Sequence, residues 1–254
     1  GKVVISGFTS ADTFEMDSDV TISKSSWTAD TGLVLTTSNG TVTFNQLGSD
    51  TGVTVGTDVY AGEFVYNTAM TSLSVNAGFT SDEINIESNN TVKEINAESS
   101  KQGLTITGNN SGNTITGSGK ADIIYTGSGT NSVDGGKGND TIYALAGTST
   151  LTGGDGKDVF VIGSDGNTIT DYAKGDKISI DGGEVKDVAT VSGGYVITFS
   201  PVSGGNDAKV TVTTSEEKIN INDEDRAFGN NIFYNAKKTA ATLLRSEEHT
   251  SELQ

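Results

Sequence analysis

Asp122, Asp140, Asp158 and Asp176 recur at intervals of eighteen residues in this 254-residue chain. Carboxylates on such a period can ligate a hard cation, work in pairs as acid and base, or sit in turns as ordinary Asx residues. Nine residues before each stand Asn113, Asn131, Ser149 and Asn167, so a nine-residue period alternates between an ionisable and a neutral phase. Two positions further on runs an apolar series on the same period: Ile106, Ile115, Ile124, Val133, Ile142, Leu151, Phe160, Ile169 and Ile178.

The elements that must hold these residues follow from the period. Nine residues suffice for one short strand and one tight turn, and two such half-turns make a coil. The apolar residue faces inward and stacks into a ladder. Each Asp then lies above the Asp of the previous coil at the strand spacing of roughly 4.8 Å. Two charges about 5 Å apart repel by roughly 3 kcal/mol at an effective dielectric near 20. Stacked acids therefore destabilise the coil unless a cation lies between them, and calcium accepts carboxylates together with backbone carbonyls in flexible geometry. The turns are suited to offer those carbonyls. Gly135-Gly-Lys-Gly-Asn-Asp-Thr-Ile-Tyr143 and Gly153-Gly-Asp-Gly-Lys-Asp-Val-Phe-Val161 fit the pattern G-G-x-G-x-D-x-U-x without a gap. A third nonad, Gly117-Ser-Gly-Lys-Ala-Asp-Ile-Ile-Tyr125, keeps the Asp and the apolar residue but has Lys120 where the pattern has Gly.

On these nonads, roughly residues 100–182 resemble the RTX (hemolysin-type) calcium-binding nonapeptide repeat proteins of bacteria. The resemblance implies an all-β fold, a parallel β-roll or β-solenoid, whose Gly carbonyls and Asp side chains from neighbouring coils cage Ca2+. Carried over, it implicates Gly136, Gly138 and Asp140 with Gly153, Gly154, Gly156 and Asp158. Asp122 with the Gly135 turn makes a second, poorer site, and Asp176 and Asp171 are candidates for added ligands at the end of the row, where a metal-free capping role for Asp171 stays open. Asn113, Asn131, Ser149 and Asn167 depart from the family and are expected to form a calcium-free ladder, leaving calcium on one side only.

Composition agrees with turns and strands. There are 33 Gly, one Pro and 33% hydrophobic residues, and Gly disfavours helix interiors by about 1 kcal/mol against Ala. The formal charge of -17 repels phosphate, which argues against nucleic acid and anionic membranes as partners and for divalent cations. The absence of Cys excludes disulfides and thiolate metal sites. No run has the length of a membrane span. Catalysis is not expected: no H-E-x-x-H, Cys nucleophile, Ser-His-Asp set or G-x-S-x-G elbow is present, and Asp82-Glu83 reads as solvated surface.

The chain divides into an N-terminal β unit (1–62), a glycine-poor solenoid lead-in (63–107), the calcium-binding roll with its cap (108–182), and a C-terminal strand region entering a further repeat (183–244). In the lead-in, Ile86, Ile95 and Leu104 keep a nine-residue spacing, with the solenoid starting near Leu73. Tyr195–Phe199, Lys209–Thr213 and Lys218–Asn222 read as antiparallel strands covering the end of the roll, and Trp27 as a core or cap residue. Phe64-Val-Tyr-Asn-Thr-Ala-Met-Thr71 is echoed 168 residues later by Ile232-Phe-Tyr-Asn-Ala-Lys-Lys-Thr239, as in a tandem array. The first residue is Gly1 rather than Met, so the natural N-terminus is expected further upstream. Residues 245–254 resemble the translation of a sequencing-adapter oligonucleotide and are set aside. They contain the one histidine, His249.

The resemblance implies a calcium-binding structural or adhesive module of a large secreted or surface protein, exported by type I secretion and folding on extracellular calcium, with a cell-surface or glycan ligand. Two alternatives stay open: the C-terminal repeat domain of a secreted protease or lipase, and a carbohydrate-acting β-helix enzyme.

Overall fold

The computed structural model describes residues 1–222 except 10–11, 29, 48–51, 57, 76–78 and 202–204, and beyond 222 only the backbone of three strands. The adapter-like tail lies outside the described residues. All regular structure is β, with no helix among the described residues and hence none long and apolar enough to cross a membrane.

Four strands open the chain: β1 (Lys2–Ser6), β2 (Ile22–Thr28), β3 (Gly32–Thr37) and β4 (Gly40–Asn45), in the order β1-β4-β3-β2. An antiparallel meander of β5 (Val53–Val55), β6 (Asp58–Ala61) and β7 (Phe64–Asn67) leads into β8 (Ser72–Val75). From β8 the chain winds as a solenoid through β9 (Glu83–Asn85), β10 (Glu94–Asn96), β11 (Thr105–Thr107), β12 (Thr114–Thr116), β13 (Ile123–Tyr125), β14 (Thr130–Asp134), β15 (Thr141–Ala144), β16 (Thr148–Thr152), β17 (Val159–Ile162), β18 (Asn167–Ile169) and β19 (Lys177–Ile180). Even-numbered strands stack in parallel as one sheet and odd-numbered strands as the other.

The apolar ladders hold the two sheets together. Leu73, Ile95, Ile115, Val133, Leu151 and Ile169 are in register on the even sheet. Ile84, Ile106, Ile124, Ile142, Phe160 and Ile178 are in register on the odd one. None is more than 2% exposed, which is the period-2 inward face that a stacked half-turn demands.

The register corrects the reading of the lead-in. Leu73 pairs with Ile95 and Ile84 with Ile106, so these coils hold twenty-two residues, in half-turns of eleven. Ile95 to Ile115 takes twenty, and every later coil to Ile178 takes eighteen. Ile86 and Leu104 flank the ladder positions Ile84 and Ile106 and are buried too, so hydrophobicity alone suggested a false nine-residue phase. Turn length explains the glycines. No described residue between Met70 and Gly112 has a positive φ. Two extra residues per half-turn let the chain reverse with ordinary angles, whereas the tighter coil turns through Gly136 (φ 98°), Gly138 (126°) and Gly154 (92°).

The downstream strands also differ from expectation. β20 (Glu184–Val191), β21 (Gly194–Ser200) and β22 (Ala208–Thr213) pair antiparallel with each other, but β22 also runs parallel to β18. β23 (Lys218–Ile221) runs parallel to β19. They extend both sheets by another rung instead of lying across the end, and Val212 to Ile221 is again nine residues. The hairpin β20–β21 is thus an insertion in a coil that then resumes. The odd sheet ends in the antiparallel strands β24 (Glu224–Gly229), β25 (Ile232–Tyr234) and β26 (Ala241–Leu243).

Candidate metal centre

The solenoid brings Asp122, Asp140, Asp158 and Asp176 into one row beside the odd sheet, each at most 3% exposed. One oxygen of each does the same structural work. Asp122 Oδ1 accepts the backbone N–H of Leu104 (2.7 Å), Asp140 Oδ1 that of Asp122 (2.7 Å), Asp158 Oδ1 that of Asp140 (2.9 Å) and Asp176 Oδ1 that of Asp158 (2.9 Å). Each Asp therefore ties its own coil to the one before.

The second oxygen divides the row. Asp122 Oδ2 accepts the N–H of Ser118 at 2.6 Å, and Asp176 Oδ2 that of Ala173 at 2.7 Å. Asp140 Oδ2 and Asp158 Oδ2 are buried with no hydrogen-bond partner. The cause lies in the turns. Ser118 and Lys120 have ordinary backbone angles, and the Ser118 N–H points at the carboxylate. In the glycine turns the corresponding N–H groups point elsewhere: Gly136 N–H donates to Asp134 Oδ1 (3.1 Å), and Gly154 N–H to Asp171 Oδ2 (2.8 Å). Asp171 Oδ1 also accepts from Gly153 N–H (2.9 Å), so Asp171 caps the last glycine turn.

The glycines are also a matter of space. A Cβ on Gly135 would sit 2.6 Å from Asp140 Oδ2 and 2.7 Å from the Gly153 carbonyl oxygen. The two turns stack on each other, with Asp155 N–H donating to the Gly136 carbonyl (2.9 Å) and Gly138 N–H to the Asp155 carbonyl (2.8 Å). Gly135, Gly136, Gly138, Gly153, Gly154 and Gly156 thus line two adjacent loops beside the open oxygens of Asp140 and Asp158.

Electrostatics mark the same pair. Burial, then the neighbouring Asp122, Asp158 and Asp134 charges, push the Asp140 carboxyl up to about 7 against the hydrogen bond from Asp122 N–H. Burial, then Asp176 and Asp171, push Asp158 up to about 6. Burial also raises Asp122 and Asp176, and backbone hydrogen bonds oppose it. A buried carboxylate oxygen without a donor costs several kcal/mol if ionised. A cation removes that cost.

The fit to calcium is good at Asp140 and Asp158: hard oxygen, negative charge, and flexible loops rich in carbonyls. Among the described residues no three acidic or histidine side chains gather as a ready-made metal cluster. A cage here must draw on backbone carbonyls, and the glycine turns are where they are available.

The neutral phase is self-sufficient. Asn113 N–H donates to Asn131 Oδ1 (2.9 Å) and Ser149 N–H to Asn167 Oδ1 (2.8 Å), repeating the inter-coil tie of the Asp row. The amide nitrogens find carbonyls, Asn113 Nδ2 on Val92 O (3.1 Å) and Asn167 Nδ2 on Ser164 O (2.8 Å). An amide satisfies both its ends here, which a carboxylate cannot do without a further donor or cation.

Residues 107–142 and 135–169 match the family model described as the RTX calcium-binding nonapeptide repeat (4 copies). Residues 107–169 are RTX repeats. The matched segments lie wholly within the solenoid and contain both glycine turns and Asp122, Asp140 and Asp158. The RTX roll is a calcium-binding repeat module. A search of the curated proteins found no match.

The division of the row predicts unequal substitutions. Asp122→Asn loses charge-assisted acceptance from Ser118 N–H and is expected to cost about 1–2 kcal/mol with or without calcium. The loss should be the same in chelator and in saturating calcium, because both Asp122 oxygens are already taken by backbone N–H groups. Thermal melts of the variant in the two conditions check both halves.

Proposed function

We propose that the chain is a structural, non-enzymatic module of a secreted or cell-surface bacterial protein, and that calcium completes its fold outside the cell. The observation that carries this reading is the pair of buried, donor-less oxygens on Asp140 and Asp158 between stacked glycine turns. The ion would be held by these two carboxylates and by carbonyls of the 135–138 and 153–156 turns. It would supply charge neutralisation and a cross-link between coils, so binding free energy becomes folding free energy. Extracellular modules hold calcium with dissociation constants of roughly 0.1–1 mM, a range that leaves the module metal-free in a cytosol and loaded outside. RTX repeat proteins are typically secreted by bacteria, which supports the same location.

A surface role is supported by the solvent face of the even sheet. From β12 through β18 and on to β22, its outward positions are Thr114 and Thr116, Ser132 and Asp134, Thr150 and Thr152, Thr168 and Thr170, then Thr211 and Thr213. One charge among ten such positions makes a long, nearly neutral hydroxyl face on a protein of charge -17. That face suits hydrogen bonding to the hydroxyls of a glycan better than to an anion.

The test is a calcium titration of the whole chain followed by far-UV circular dichroism from a chelated start. A gain of β signal with a midpoint of roughly 0.1–1 mM is expected. A chain whose β signal in chelator is already complete and does not respond to calcium would overturn the metal-completed fold.

A further inference from the structure

The N-terminal residues repeat the architecture of the roll's far end. β1 runs parallel to β4 with Val3 opposite Val42 and Ile5 opposite Phe44. β18 runs parallel to β22 with Asn167 opposite Val210 and Ile169 opposite Val212. β3 meets β4 through Leu33–Phe44 and Leu35–Val42, as β21 meets β22 through Tyr195–Val212 and Ile197–Val210. The outer hairpins agree down to an irregularity. β2 slips between Ile22 and Lys24 before Ser25 pairs with Leu35, and β20 slips between Val185 and Asp187 before Val188 pairs with Ile197.

The loop after the first strand is shared too. Thr9 N–H donates to Asp12 Oδ2 at 2.7 Å and Asp12 N–H to the Thr9 carbonyl at 3.0 Å. Ala173 N–H donates to Asp176 Oδ2 at 2.7 Å and Asp176 N–H to the Ala173 carbonyl at 3.1 Å. Asp12 therefore occupies the place of Asp176, and Phe8, which packs edge-on against Phe44, that of Tyr172. Further along, β6–β8 and β24–β26 share two hairpin registers at an offset of 168 residues. Val59–Tyr66 and Phe64–Val75 correspond to Ala227–Tyr234 and Ile232–Leu243.

Antiparallel hairpins have many possible registers, and a bulge can fall anywhere in them. Coincidence in five strand pairs, one bulge and one Asp-capped loop is the mark of a duplicated unit. We infer that this chain belongs to a tandem array with a period of about 162–168 residues, in which β1 is the last even-sheet rung of an upstream roll of the same kind.

The surface that roll would occupy is visible. β18 is bonded on both sides, by β16 and β22, whereas β1 ends its sheet. Val3 and Val4 are 52% and 55% exposed, and an uncovered apolar edge strand is a pairing site. The partner that fits is a nonapeptide rung of another copy, the counterpart of β16. By the same correspondence the metal-row Asp preceding β1 lies eleven residues before Ile5, as Asp158 lies eleven before Ile169. The inference rests on strand registers and stands apart from whether calcium is bound.

Two measurements test it. Reading the gene upstream of Gly1 should show G-G-x-G-x-D nonads in that phase; an unrelated domain or a start codon within that stretch overturns the array. The second joins residues 103–166 directly ahead of Val3 of the whole chain, so that Val3 takes the place of Asn167, and follows amide hydrogen exchange by mass spectrometry in saturating calcium. Exchange of the Val3–Ser6 amides should slow by about tenfold or more against the unextended chain. The same join with one residue inserted turns each side chain to the wrong face and should give no slowing. Equal exchange in all three proteins, or equal slowing by both joins, overturns the proposed edge.

Discussion

In chelator at pH 8, the Asp140→Asn/Asp158→Asn variant should melt above the unsubstituted protein, and calcium should raise the melt of the unsubstituted protein alone. Two ionised neighbours at the rung spacing repel by roughly 3 kcal/mol at an effective dielectric near 20, and each has one buried oxygen without a donor. Amides remove the charge, and the Asn113–Asn131–Ser149–Asn167 ladder shows that this coil geometry accepts amides without metal. With about 2–4 °C per kcal/mol for a chain of this size, the gain in chelator is about 6–12 °C. Calcium closes most of this gap, because saturation at a hundred times the dissociation constant adds about 2.7 kcal/mol per site to the unsubstituted protein alone. Melts followed by circular dichroism in chelator and in calcium settle it. A variant less stable than the parent in both conditions would mean that the two carboxylates are not what destabilises the metal-free roll.

Acidification should stabilise the metal-free roll and weaken its hold on calcium. Unfolded Asp titrates near 3.9, whereas burial lifts Asp140 to about 7 and Asp158 to about 6 in the fold. Between about pH 4 and 7 the folded state therefore holds protons that the unfolded state has released, and stability falls as pH rises. This contribution is fully present below the unfolded value and is gone above the folded ones. Calcium requires both carboxylates ionised, so binding near pH 6 should release about one proton per chain, measurable by calorimetry in buffers of different ionisation enthalpy. Melts in chelator at pH 8, 6.5 and 5 should rise in that order, and the double Asn variant should lose most of the slope. A parent protein that loses stability on acidification in chelator would refute the assignment.

Much of the roll was legible in the sequence because one side chain per nine residues reports it. From Ile106 to Ile178 the ladder residue, the Asp or Asn two positions before it, and the glycine turn each recur. The lead-in was misphased because its turns need no glycine, and because Ile86 and Leu104 are as buried as the true ladder residues. The Asp row was legible as a row but not in its division. That Asp122 and Asp176 are sealed by backbone N–H groups depends on which way a peptide faces. Only the Ser118 and Lys120 departures from Gly hinted at it. The likeness of residues 2–45 to the far end of the roll left almost no trace in residue identity. Ile5, Phe8 and Asp12 against Ile169, Tyr172 and Asp176 are too sparse, and strand register conserves backbone pairing while side chains drift.

The change from twenty-two to eighteen residues per coil has a consequence for how the chain finds its place. A stack of identical coils has translational symmetry: sliding one strand by a whole coil restores nearly every contact, so many misaligned states lie close in energy. The wider coils through Leu73 and Ile84 break that symmetry at one end, since an eighteen-residue segment cannot span them. At the other end Tyr172, whose hydroxyl meets the Asp176 carbonyl and the Asn220 N–H, fits only one position. The two irregular ends index the regular middle, as the stops on a scale fix where its zero lies.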